Sequence, residues 1–434
     1  MKTKTIFVCE KCGAQSIRWS GQCPTCGEWN SLSAQVITPK KIGEKKSAVA
    51  TASVDKLIST TLVRLQTGII EADRVLGGGI VPGSLILLGG EPGIGKSTLT
   101  LQLAAKFAEK IGTVLLVSGE ESAEQIALRA HRICGSHSRL KILTENMIET
   151  ILATAAAEKP KMIIVDSVQV MNSVELPSLS GSVPQIRTVT EKLLRFAKNT
   201  NTPIILIGHV TKDGDLAGPR LLSHLVDVVL TFEGDPYRDF RLLRATKNRF
   251  GTTNEVGVFE MHESGLIEVS NPSAAFLEGR TKNPLGSCVT ATMEGTRPLL
   301  IEVQALTATS NFGYPKRTAS GFDLNRLQIL IAVLQRHAKL KLDSSDVFVN
   351  VIGGFRLREP AADLAVVLAI ASSKLKKTLP SNLVAWGEVG LSGEIRFVSQ
   401  SDKRKKETLK MGFSKVANEK ETKSIAETIK KLFY

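Results

Sequence analysis

The segment Gly90-Glu91-Pro92-Gly93-Ile94-Gly95-Lys96-Ser97 matches G-x-x-x-x-G-K-[ST] and follows directly on the apolar run Ser84 to Leu88. Glycines at these positions let the backbone curl until successive N–H groups point at phosphate oxygens, with the lysine reaching the β/γ-phosphates and the hydroxyl available to Mg²⁺. Thr98 and the pattern Leu99-x-x-Gln102-Leu103-Ala104 continue as a helix. The order strand, loop, helix then places phosphate on a helix N-terminus. A chain with this loop is bound to an α/β nucleotide fold, with ATP and Mg²⁺ as cofactors, Gly90 to Thr98 as the cradle and Ser97 as a magnesium ligand.

The loop accounts for part of a chain of 434 residues, long enough for two or three domains. Apolar residues make up 42% and charged residues 23%, ordinary for a globular chain, but the formal net charge is +14. Such a balance suits an anionic partner, and nucleic acid fits best because no apolar run reaches the length of a membrane span. A solvated basic surface is the competing explanation. The run Ile6-Phe7-Val8 is too short for a secretory signal, so a cytoplasmic protein without a membrane partner is expected.

Four of the six cysteines form two C-x-x-C knuckles, Cys9/Cys12 and Cys23/Cys26, each followed by a turn glycine, Gly13 or Gly27. This spacing turns both thiolates of a knuckle toward one ion, and two knuckles close a tetrahedron typical of structural zinc. A redox dithiol or an iron site is the alternative use of the same residues. Trp19 and Trp29 are expected to supply apolar cover, while Cys134 and Cys288 read as ordinary thiols. These features suggest a zinc module over 1–32 and a flexible basic linker over 33–56.

From Thr67 to about Asn271, short aliphatic runs alternate with amphipathic ones. Thr113–Val117, Met162–Val165, Pro203–Ile207 and Val226–Phe232 read as strands; Glu121–Cys134 and Pro184–Thr200 read as helices. The pattern predicts a doubly wound α/β domain over 57–271, with its ligand at the carboxyl ends of the strands. Asp166 closes one apolar strand and is expected to hold the magnesium shell. Glu120 is the candidate for orienting and deprotonating the attacking water, with Glu121 in reserve, although either residue also suits a helix start. His209 could sense the γ-phosphate and pass its presence to Val210–Ser223, which carries Lys212 and Arg220; a buried structural histidine is the competing reading. Lys247 and Arg249, at alternate positions, either bind nucleic-acid phosphate or complete a neighbouring subunit's ATP site.

The four knuckle cysteines, Gly89 to Thr98, Val117-Ser118-Gly119-Glu120-Glu121-Ser122 and Lys247-Asn248-Arg249-Phe250-Gly251 together resemble the bacterial RadA (Sms) family of RecA-like ATPases. The resemblance extends to Leu285–Phe397, which is similar to the protease domain of Lon. It implies a RecA-like doubly wound P-loop core with a small N-terminal zinc module, followed by a C-terminal α+β Lon-protease-like domain over 272–434. It also implies a homohexameric ring that binds single-stranded and branched DNA, hydrolyses ATP between subunits and drives branch migration in recombinational repair, with a RecA-type recombinase as partner. An ATP-switched mediator that does not translocate, or a protein-remodelling ATPase, is the alternative. By the same likeness Lys247 and Arg249 act in trans on the γ-phosphate, and Met171–Pro184 and Val210–Ser223 lie where DNA-binding loops are placed. In the Lon-like region Ala361 stands where the nucleophilic serine would be, and the lysine base has no clear equivalent, so no peptidase activity is expected. The run Lys403-Arg404-Lys405-Lys406 is either a phosphate contact or a solvated face.

Overall fold

The computed structural model describes residues 4–37, 63–209, 220–234, 240–282, 284–310 and 314–434. Their contacts group them into two compact units, one of Met1–Glu233, Leu243–Thr253 and His262–Leu266, the other of Gly234–Leu242, Asn254–Met261 and Ile267–Tyr434. The expected linker lies largely outside the described residues, as do Val210–Pro219 with Lys212 and the side chains of His209 and Arg220.

Within the first unit, the N-terminal residues form a small antiparallel sheet of order β2-β1-β3, with β1 at Lys4–Cys9, β2 at Gln15–Ser16 and β3 at Leu32–Ile37. The first five residues assigned to the linker, Ser33 to Ile37, are thus paired strand, opposite Val8 to Lys4. The apolar centre is Cys9, Cys23 and Leu32, with Phe7, Cys12 and Ala14 against it. Trp19 and Trp29 do not provide that cover: they are 59% and 69% exposed. A module this short buries only Cys9 and Cys23 of its four cysteines and has no interior wide enough for two indoles.

The nucleotide-type core has parallel strands in the order β9-β4-β8-β7-β5-β6. They are β4 at Leu85–Gly90, β5 at Val114–Ser118, β6 at Leu140–Thr144, β7 at Met162–Asp166, β8 at Ile204–His209 and β9 at Val228–Gly234. Side chains alternate between the two faces of a strand, and a parallel sheet is covered on both, so β4 is apolar at successive positions. Leu85 and Leu87 join a cluster with Ile148 and Ile151 from helix Ile148–Glu158 and with Ile186, Val189 and Leu193 from helix Val183–Thr200. Ile86 and Leu88 face a different set that includes Leu99 and Leu103 of helix Lys96–Lys110. The expected strands and helices all form, with ends moved by a residue or two. The helix expected from Glu121 begins at Ala123, because Ser122 and Gln125 close a reciprocal capping box before it. After β9 the chain continues through β10 at Phe240–Asn248, β11 at Val256–His262 and β12 at Gly265–Glu268, whose residues are divided between the two units.

The second unit contains a mixed six-stranded sheet built on the antiparallel pair Ser287–Glu294 and Arg297–Thr309. Helix Asp363–Leu375 is buried from Asp363 through Ser373. Its Asp363 carboxylate accepts Val389 N–H at 3.1 Å and pairs with Arg326. Ala361 is fully buried in an apolar cluster with Val289, Ala291, Leu300, Val384, Trp386, Val398 and Phe413. The cationic run after it is only partly a solvated face. Lys403, Lys405 and Lys406 are exposed, but Arg404 is buried and donates to Ala291 O, to Ser399 O and to the Glu359 carboxylate. Removing one partner of such a pair strands the other charge. Arg404→Met is therefore expected to cost about 3–5 kcal/mol, read as a lowered denaturation midpoint. A loss under about 1 kcal/mol would match a surface lysine instead.

Candidate nucleotide site and metal module

Glycine at two loop positions is a geometric requirement. A Cβ on Gly90 would sit 2.6 Å from Phe232 O, and Gly95, at the mouth of helix Lys96–Lys110, has φ of 109°. Lys96 is 4% exposed and donates to Gly90 O and Glu91 O, both at 2.9 Å, so its ammonium is folded onto the carbonyls of its own loop. Burial lowers its pKa, while Asp166 and Glu120 oppose that shift.

Parallel register brings the other groups to the same edge. Gly90 is paired with His209, and Ser118 with both Asp166 and Thr144. Ser97 Oγ donates to Asp166 Oδ2 at 2.7 Å. Burial is the main cause of the raised Asp166 pKa, with the Glu120 and Glu121 charges adding to it. A hydroxyl and a carboxylate oxygen in contact, beside a helix N-terminus, suit a hard divalent cation and a polyphosphate. Glu120 is exposed and accepts from Ser167 Oγ at 2.5 Å, next to Asp166. Glu121 instead pairs with Arg129 at 2.7 Å, outside the capped helix. An open cavity of about 300 Å³ between the ends of β5 and β6 is lined by Ser118 to Glu121 and Thr144 to Asn146, leaving room for water beside Glu120. Ser167 was not distinguishable in the sequence, since nothing in its position marks it beyond following Asp166.

Lys247 and Arg249 lie elsewhere. Lys247 Nζ donates to Ser223 O at 2.6 Å and Val226 O at 2.7 Å, capping the C-terminal end of helix Arg220–Leu225. Burial and the Arg249 charge lower its pKa, against Asp227. Arg249 N–H donates to Asp227 O at 3.1 Å, and Asp227 N–H donates to Leu85 O at 2.9 Å. These residues therefore sit where β4 begins, whereas the phosphate loop follows its end. Five residue steps at about 3.3 Å each separate the two edges by roughly 17 Å, beyond the reach of either side chain.

The root of the expected loop Met171–Pro184 is fastened at several points. Gln185 accepts Ser173 N–H and donates to Leu176 O and Ser178 O, while Lys192 Nζ bonds Glu149 at 2.5 Å and Ser173 Oγ at 2.9 Å. Burial pushes the Glu149 carboxyl up, but its bonds from Lys192 and Ser173 bring it down to about 2.

In the cysteine module the turns close through Gly13 N–H to Cys9 O at 2.8 Å and Gly27 N–H to Cys23 O at 2.9 Å. The four Sγ atoms lie within 4.8 Å of one another, with Cys9–Cys26 and Cys12–Cys23 each at 3.6 Å. Tetrahedral ligands about 2.3 Å from one ion stand roughly 3.8 Å apart, so the set fits a metal without rearrangement.

The fold and the phosphate edge together define a RecA-like P-loop ATPase, the class for which ATP hydrolysis is the implied activity. Residues 52–215 match the AAA domain family model, and residues 7–34 match the rubredoxin metal binding domain. The chain is 46% identical over 425 residues to DNA repair protein RadA of Bacillus subtilis (strain 168), covering 96% of this chain and 92% of that protein. It is 47% identical to the protein of that name from Halalkalibacterium halodurans, covering 96% and 92%, and 48% identical to that of Pseudomonas aeruginosa, covering 95% and 92%. The chain belongs to the bacterial DNA repair protein RadA family. Among the described residues no helix is long and apolar enough to cross a membrane.

Two outcomes follow from this geometry. Cys9→Ser/Cys12→Ser releases the metal and unfolds the module, measured as metal per chain; unchanged metal content contradicts the four-thiolate set. For Glu149, the folded pKa lies below the ordinary value of about 4.3, so its contribution is complete above that value and lost as pH falls toward 2. Glu149→Gln should flatten the acid limb of the stability profile below about pH 5, and an identical limb in the variant would dispose of the clamp.

Proposed function

We propose that this chain is a DNA-dependent ATPase that works as a ring-shaped branch-migration motor on recombination intermediates in homologous recombination and DNA repair. The observation that supports the reading is that the phosphate loop and the lysine-arginine segment lie at opposite edges of the sheet. Lys96, Ser97 and Asp166 gather at the carboxyl edge, whereas Lys247 and Arg249 are fastened at the amino edge, too far away to serve the same phosphate. A site built this way is completed by a second copy, which favours a closed homohexameric ring.

ATP with Mg²⁺ supplies the phosphoryl bond whose cleavage drives the cycle. Gly90 to Thr98 bind the phosphates; Lys96 leaves the carbonyls of Gly90 and Glu91 to meet β/γ oxygens; Ser97 and Asp166 hold the metal. Glu120, already accepting a hydrogen bond from Ser167 Oγ, orients water and takes its proton. Lys247 and Arg249 of the next subunit complete the site in trans. The net charge of +14 suits single-stranded and branched DNA. Met171–Pro184 and Val210–Ser223 are assigned to DNA contact, and a RecA-type recombinase is the assigned protein partner. The cysteine set is assigned to structural zinc, residues 272–434 to a Lon-protease-like scaffold, and the whole to the cytoplasm. The burial of Ala361 among apolar side chains supports a scaffold without peptidase chemistry.

Lys96→Ala should lower ATP turnover by at least about 100-fold, whereas Lys247→Ala should retain nucleotide binding and lose branch migration of a forked DNA. Normal turnover in the first variant, or full migration in the second, would refute the corresponding assignment.

A further inference from the structure

Asp227 has no part in any nucleotide motif, yet it is the residue on which the lysine-arginine segment is mounted. It stands at the start of β9, its side chain 4% exposed. Oδ2 accepts Leu85 N–H at 3.0 Å and the Lys198 ammonium at 2.7 Å, leaving Oδ1 to face Arg249 at 3.6 Å. The same residue holds the Arg249 backbone, since Asp227 O accepts Arg249 N–H. The carboxylate is fixed by the edge of the central strand and cannot swing to follow a mobile arginine. Arg249 is anchored on one side, while its side chain stays 55% exposed, and a guanidinium has five donors, more than one carboxylate oxygen can engage. The surrounding tethers keep the mount stiff. Arg64 donates to Phe250 O at 2.5 Å, and Lys198 lies 5.8 Å over the Phe250 ring.

We propose that Asp227 is a positioning residue for ATP turnover, holding Arg249 so that its free donors meet the terminal phosphate of a nucleotide bound to a neighbouring copy. This rests on the reading that the site is completed in trans. Pre-set orientation matters because a flexible arginine must lose its rotamer freedom at each catalytic encounter, and small misplacements of such a group are expensive in rate. The carboxylate acts through Arg249 and touches no nucleotide, so its removal should lower kcat while leaving ground-state binding alone.

The test is a double-variant cycle on the full-length protein. Asp227→Asn keeps an acceptor for Leu85 N–H but removes the charge. Its kcat should fall about ten-fold while the Kd for a fluorescent ATP analogue stays within about two-fold. In an Arg249→Ala background the same change should have no further effect, because the two residues act as one unit. Losses that multiply, or a weakened Kd matching the fall in kcat, would mean a merely structural role and overturn the proposal. Full turnover in Arg249→Ala alone would instead refute the trans reading and, with it, the role of Asp227. Should Asp227→Asn fail to fold, Asp227→Glu supplies the check. It keeps the charge but displaces it by one methylene from Arg249, so kcat should fall about ten-fold with the Kd within about two-fold; an unchanged kcat would overturn the proposal.

Discussion

Level register of buried parallel strands is the constraint on which the nucleotide edge depends. β4, β8, β7 and β5 are held side by side, so Gly90 ends level with His209 and Ser118 level with Asp166, the second pair two residues short of the first along the same edge. A shift of one residue would turn each strand's side chains to the other face, and the apolar clusters on both faces oppose that. The 2.7 Å contact between Ser97 and Asp166 spans 69 positions of sequence and follows from this alignment. Loop chemistry is thereby set by a core that makes no contact with ligand.

The other end of the sheet has its own logic. Cations near the start of β4 are tied to a buried carboxylate and to helix-end carbonyls, which gives them fixed positions away from the chain's own phosphate loop. Burial of charge is costly unless every charge is met, and here Asp227 is met by an amide, a lysine and an arginine. A stiff surface cation is useful for meeting an anion presented by another copy. The same economy holds in the second unit, where Arg404 and Asp363 are spent on internal pairs, leaving the neighbouring lysines to face solvent.

Much of this was legible in the chain itself, for identifiable reasons. The phosphate loop, the strand ending at Asp166 and the two cysteine knuckles are local patterns whose chemistry fixes both residue type and spacing. Strand and helix positions followed from periodicity, except at ends where a side-chain cap decided the boundary, as at Ser122. What escaped is non-local. Nothing near Asp227 announces that it will meet Leu85 and Lys198, and the exposed positions of Trp19 and Trp29 depend on how little interior the small module has. Arg404 was hidden in a run of like charges because composition cannot tell which member of a run turns inward.

The central claim, that each phosphate site is finished by a neighbour, can be tested by mixing two inactive proteins. Lys96→Ala chains keep the cationic segment, and Lys247→Ala/Arg249→Ala chains keep the phosphate loop. Each alone should hydrolyse ATP at background rate. Subunits exchanged between the two preparations should recover turnover, because some interfaces then join an intact loop to an intact cationic segment. A mixture confirmed to contain both chains in one assembly, yet no more active than either parent, would contradict the account.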